Sequence, residues 1–175
     1  MAKLKRSALL HYLLVPFADE VPSTSPAWQL IGRDVADMSV NMNPDTETIK
    51  NILDETSVND NGYEPSFDVD TYYADPSETS FYSAIKGIAL DRKTGDECKT
   101  ICLEVLVDKT EGPYDAWIED VIVKPQSYGG AQGGVRLPYN VAFCGNRTKG
   151  TVTMSGKVPT WIPPQAASAN NNGET

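Results

Sequence analysis

Residues 125–153 read "PQSYGGAQGGVRLPYNVAFCGNRTKGTVT". After the glycines, Val135, Leu137, Tyr139, Val141 and Phe143 alternate with Arg136, Pro138, Asn140, Ala142 and Cys144. A period of two places one set on each side of an extended chain, so this is a strand with one apolar face. Pro138 has no N–H to give a ladder, which points to an edge position or a bulge. The four glycines before it, Gly129, Gly130, Gly133 and Gly134, invite a phosphate-loop reading. Their spacing fits neither Gly-x4-Gly-Lys-Ser/Thr nor Gly-x-Gly-x-x-Gly. They lead into a strand, so there is no helix N-terminus with free N–H groups to hold an anion. The loop reads as a flexible connection between strands, adaptable to a neighbouring subunit.

The same period runs outward through the chain. Ile101, Leu103, Val105 and Val107 form a second apolar strand face. "YDAWIEDVIVK" (114–124) forms a third, whose apolar set changes parity between Ile118 and Val121, as a bulge near Glu119 would cause. "MSVNM" (38–42) and "TETIKNIL" (46–53) predict a hairpin turning at Asn43-Pro44-Asp45. "PSFDVDTYY" (65–73) and "KGTVTMSG" (149–156) are further strands, and residues 8–15 form an extended arm or strand. One segment departs from this period. In "ADPSETSFYSAIKGIALD", Asp75, Pro76 and Glu78 have the form of a capping box, and Phe81, Ile85, Ile88 and Ala89 make one helical stripe. The expectation is a mainly-β domain with two packed antiparallel sheets, as a sandwich or partial barrel, flanked by one α-helix.

A chain of 175 residues suits one domain with one core. Its net charge of −9 is unevenly placed. Residues 41–80 carry Asp45, Glu47, Asp54, Glu55, Asp60, Glu64, Asp68, Asp70, Asp75 and Glu78 against Lys50 alone, and the flanks balance. Such a surface repels nucleic acid. Three cysteines, Cys98, Cys102 and Cys144, make no paired disulfide set, and one histidine, His11, leaves a Cys/His zinc site short of ligands. Lys3, Lys5 and Arg6 ahead of "SALLHYLLVPFA" imitate a signal peptide, but His11 and Pro16 interrupt the apolar run. No run approaches the roughly 20 apolar residues of a membrane span.

The remaining motifs are weak. "SVNDNGYEPSFD" (57–68) has Gly62 in the sixth place of a calcium loop, but Ser57 stands where the first aspartate belongs and Asp68 where the last glutamate does. Asn61-Gly62 reads instead as a turn signal. A nucleophile has only His11 for an imidazole base, and Asp68 with Asp70 would be the acid pair of a hydrolase. Trp28, Trp117 and Trp161 would line a sugar groove if they were gathered, and otherwise belong to core and contacts. No residue set predicts a cofactor or a metal.

Three stretches together resemble a known family: "WQLIGRDVADMSVNMNPDTETIKNILDETSV" (28–58), "GYEPSFDVDTYYADP" (62–76) and "DVIVKPQSYGGAQGGVRLPYNVAFCGNRTKGTV" (120–152). They look like the major tail tube proteins of tailed bacteriophages and prophages of Gram-positive hosts. Asp54 stands where that pattern has glycine. The resemblance implies a non-enzymatic virion protein assembled in the host cytoplasm into stacked hexameric rings. It implies tape-measure, terminator and baseplate proteins as partners, DNA passing without specific binding, and no membrane. Expected regions are an assembly arm at 1–17, the tube domain at 18–164 and a polar tail at 165–175. Glu47 and Asp54 are the expected lumen residues. Leu9, Leu10, Leu13, Leu14, Phe17 and the four loop glycines are the expected contacts between subunits. The competing expectations are a monomeric carbohydrate-binding β-sandwich and a hydrolase.

Overall fold

A computed structural model describes residues 2–165; the polar tail expected at 165–175 falls, from residue 166, outside them. The chain is mainly β with one α-helix. Strands are β1 (Leu9–Val15), β2 (Ala27–Ile31), β3 (Pro44–Lys50), β4 (Thr56–Tyr63), β5 (Ser66–Val69), β6 (Lys99–Leu106), β7 (Tyr114–Pro125), β8 (Tyr139–Ser155) and β9 (Val158–Ile162). The helix α1 spans Thr79–Leu90. Seven strands form one antiparallel sheet in the order β2-β1-β6-β7-β8-β5, with β9 also on β8, and the sheet curls nearly closed. β3 and β4 form a separate two-stranded sheet.

The curl is built where β7 meets β8. Ile118 pairs with Thr148 and Val121 with Phe143, so three steps along β7 face five along β8. The irregularity falls at the predicted place, but the extra residues lie on β8, where Gly145 and Asn146 take φ +97° and +60°. β7 itself keeps its alternation. Its parity change in sequence records a change of buried face: Ala116 packs on one side of the sheet, Val121 and Val123 on the other. Two cores result. One lies under α1 and gathers Leu13, Phe67, Phe81, Ile85, Val121, Val123 and Val141. The other, on the opposite face, gathers Tyr12, Leu103, Val105, Ala116 and Val152.

α1 buries the predicted stripe, Phe81, Ile85 and Ile88, at about 1.5–3 kcal/mol for each fully buried side chain. The helix starts later than the capping pattern predicts. Asp75 Oδ1 accepts from the Ser77 N–H (2.9 Å) and the Ser77 hydroxyl (2.6 Å), closing a turn before the helix, and Glu78 takes the cap position without a side-chain bond to the helix N–H groups.

Three sequence expectations give way. β1 is an interior strand, paired with β2 on one side and β6 on the other, and residues His11–Val15 are buried. Residues 9–15 of the expected arm are therefore part of the sheet. The predicted hairpin at Asn43-Pro44-Asp45 is not where the chain reverses: β3 pairs with β4 across residues 51–55. Asn43, at φ +44°, instead steers the chain into β3 and donates from Nδ2 to the Glu64 carbonyl (3.0 Å). The pseudo-calcium stretch from Ser57 is mostly strand β4. Asn61-Gly62 forms a bulge there rather than a turn, with Gly62 at φ +92° and its N–H bonded to Asp60 Oδ1 (2.9 Å).

Candidate assembly surface

The β3–β4 hairpin is exposed along both strands, apart from half-buried Gly62. A two-stranded hairpin is marginal in water, and an unpaired edge invites another chain. This one also carries apolar side chains outward: Ile49, Val58 and Tyr63 on the strands, Ile52 and Leu53 at the tip. The tip is held rigid by one side chain. Asn51 Oδ1 accepts the Leu53 N–H (2.9 Å) and the Glu55 N–H (3.0 Å), while Asn51 Nδ2 donates to Glu55 Oε2 (2.7 Å). Asp54 sits at φ +63° in the left-handed region, the geometry that favours glycine, and its carboxylate pairs with Lys50 Nζ at 3.0 Å.

At the hairpin root lies a cavity of about 630 Å³ between the segment 38–42, Tyr63, Pro65 and sheet residues Leu9, His11 and Phe143. Charged side chains reach its floor. Arg147 Nη1 donates to Glu104 Oε1 (3.0 Å) and Glu119 Oε2 (2.9 Å). His11 is 2% exposed, its Nε2 3.7 Å from Glu104 Oε2, and neither ring nitrogen has a hydrogen-bond partner among the described residues. Burial pushes the Glu104 carboxyl up, but the His11 ring and Arg147 guanidinium outweigh it and hold the group below the ordinary carboxylate range. Burial, with the Glu104 carboxylate adding to it, pushes the Cys102 thiol well up, which makes it inert.

The predicted contact residues separate into two groups. Leu13 and Leu14, at 0% and 1% exposure, belong to the interior of their own chain, which corrects their placement between subunits. Leu10 is half-buried against the second core, Phe17 against the first, and only Leu9 lines the cavity. The glycine loop is tied within one chain: Gly129 and Arg136 exchange both backbone bonds (3.2 and 2.7 Å), and the Arg136 guanidinium stands over the Tyr73 ring at 5.3 Å. All four glycines have positive φ; a Cβ on Gly130 would lie 2.7 Å from the Gly134 carbonyl. The loop's composition is therefore explained by its own turn. Both lumen candidates, Glu47 and Asp54, are exposed on the hairpin.

The acidic segment does not share one face. Asp75 and Glu78 flank Arg33 at the start of α1, at 3.5 and 3.6 Å, and Asp68 accepts from Asn140 Nδ2 (2.8 Å) on β5. Asp70 follows β5, and the other six, Asp45, Glu47, Asp54, Glu55, Asp60 and Glu64, lie on the hairpin and its ends. The tryptophans do not form a groove either. Trp28 and Trp161 pack on the second core, while Trp117 lies on the other face of β7, covered by Arg147 and Lys149, each 5.6 Å from its ring. No group of three His, Cys, Asp or Glu able to hold a metal occurs among the described residues. No helix among them is long and apolar enough to cross a membrane.

No protein-family model matches the chain, and no curated protein sequence matches it. Solved structures do. The SPP1 tail tube, determined by solid-state NMR and cryo-EM, aligns with 84% of this chain and 78% of its own, at 13% identity and a TM-score of 0.54. The chain thus has the fold of a phage tail tube subunit. Two tube-capping proteins also align. The cap of the anti-feeding prophage covers 86% of this chain and 93% of its own at 11% identity and TM-score 0.48. The sheath/tube terminator of an extracellular contractile injection system covers 85% and 97% at 8% identity and TM-score 0.49.

Proposed function

We propose that this chain is a structural, non-enzymatic subunit of a phage tail tube, which polymerises into stacked rings enclosing a passage for DNA. The observation that carries the reading is the projecting hairpin, set on a tail-tube fold. A rigid apolar tip and strands exposed on both faces have no function in an isolated monomer and every use in a polymer. Six copies per ring, with tape-measure, terminator and baseplate proteins as partners, are part of the same proposal. So is a place in the virion after assembly in the host cytoplasm. The hairpin's carboxylates, Glu47 among them, would give the passage a negative wall that DNA slides along without sticking. Asp54 would add less, since Lys50 neutralises it.

The sugar-binding and hydrolase alternatives lose their support in the dispersal of the tryptophans and the burial of His11 in a strand. Sedimentation velocity across a hundredfold range of protein concentration tests the proposal. Large polymers that grow with concentration are expected; a single monomeric species throughout would refute it.

A further inference from the structure

We propose that a second cavity, lined by β1, β2 and the segment 32–38, binds a small apolar molecule with an anionic group at one end and a hydroxyl at the other. The site is independent of self-assembly. The cavity holds about 590 Å³, inside the span of about 300–1,000 Å³ usual for small-molecule sites. It shares Arg6, Leu9, His11 and Met38 as walls with the cavity at the hairpin root. Leu10, Ile31 and Val35 extend its apolar lining. Met38, a buried part of that lining, has an unbranched side chain that adapts to an inserted shape.

Charge sets the sign of the ligand. Exposed Arg6, Arg33 and Lys157 line the cavity, and no carboxylate does among the described residues, although the whole chain carries −9. Arg33 is shared with Asp75 and Glu78, at 3.5 and 3.6 Å. Arg6 and Lys157 form no ion pair among the described residues. The Arg6 guanidinium is held by donation to the carbonyls of Leu9 (2.6 Å) and Met38 (3.1 Å), which leaves further N–H groups for a carboxylate. The Tyr12 hydroxyl donates to the Lys157 carbonyl (2.8 Å) and fixes that backbone beside the cavity. Groups fixed beforehand lower the ordering cost of binding. The buried part of the lining asks for the second polar group. His11 is 2% exposed, and neither ring nitrogen has a hydrogen-bond partner among the described residues. A neutral imidazole has one nitrogen that donates and one that accepts, and a hydroxyl answers either. A ligand that supplies this missing bond removes the penalty of an unpaired buried group.

The test titrates full-length protein with ω-hydroxydecanoate by equilibrium dialysis, which serves single subunits and polymers alike. Saturable binding is expected, with decanoate and the corresponding diol each about tenfold weaker, since each lacks one of the two polar ends. Arg6→Gln and Lys157→Gln, both at exposed positions, should each weaken binding about tenfold with circular dichroism unchanged. His11 is the chain's one histidine, so its ring signals in histidine-labelled protein are unambiguous, and magic-angle-spinning NMR should show them move as the site fills. Absence of saturation, an unmoved His11 ring, equal binding by the diol, or full affinity in both variants overturns the site. Decanoate binding as tightly as the hydroxy acid overturns the hydroxyl end of the proposal. None of these outcomes bears on polymerisation, which sedimentation decides separately.

Discussion

At the scale of single residues, one charged group and one glycine dominate. Glu104 is held below its ordinary value of 4.5, so the folded chain binds its proton more weakly than the unfolded chain does. The stability this gives is present above the ordinary carboxylate range and is lost as pH falls through the lower, folded value. Urea titrations from neutral pH down to about pH 3 should therefore show a steep acid limb, flattened in Glu104→Gln, which is also less stable at neutral pH because Arg147 loses one of its two carboxylates. An unchanged limb would mean that the Glu104–Arg147–Glu119 network carries no linkage. Gly150 packs under β9: a Cβ there would come within 2.5 Å of the Trp161 ring and 2.7 Å of the Ile162 carbonyl. Gly150→Ala should cost about 1–3 kcal/mol in chemical unfolding, since the strand as well as the ring must shift.

At the scale of elements, β1 and the β3–β4 hairpin play opposite parts. Deleting residues 1–17 removes the strand between β2 and β6 and exposes both cores, so the product should lose its native β circular dichroism. A folded truncated monomer would restore the idea of an arm. Replacing residues 44–63 by a short turn should leave Tm within about 4 °C, because the hairpin buries almost nothing in its own chain. In α1, Phe81→Ala should cost about 3–5 kcal/mol. The α1 stripe and the alternation in β6, β7 and β8 were legible in the sequence because their periods are local. The role of β1 was not, since its apolar run reads alike in an arm and an interior strand, and only long-range pairing decides. The hairpin was misplaced for a chemical reason. Asn43-Pro44-Asp45 is rich in turn formers, whereas the true turn sets Ile52 and Leu53 between Asn51 and Asp54, two apolar residues where turns are usually polar. The cavity at the hairpin root was not legible at all: Arg6, Met38, Tyr63 and Phe143 meet only in the folded chain.

At the scale of the whole molecule, a nearly closed sheet carries one element that its own core does not need. The sheet satisfies both its faces, and the hairpin satisfies neither of its own. Under the proposed function, contacts with other copies of the chain are what would cover that hairpin. Electron microscopy of the purified full-length protein examines that claim directly. Hollow tubes of stacked rings, lost on Leu53→Asp, are the predicted result; isolated particles of monomer size at every concentration, with the hairpin free in each, would contradict it.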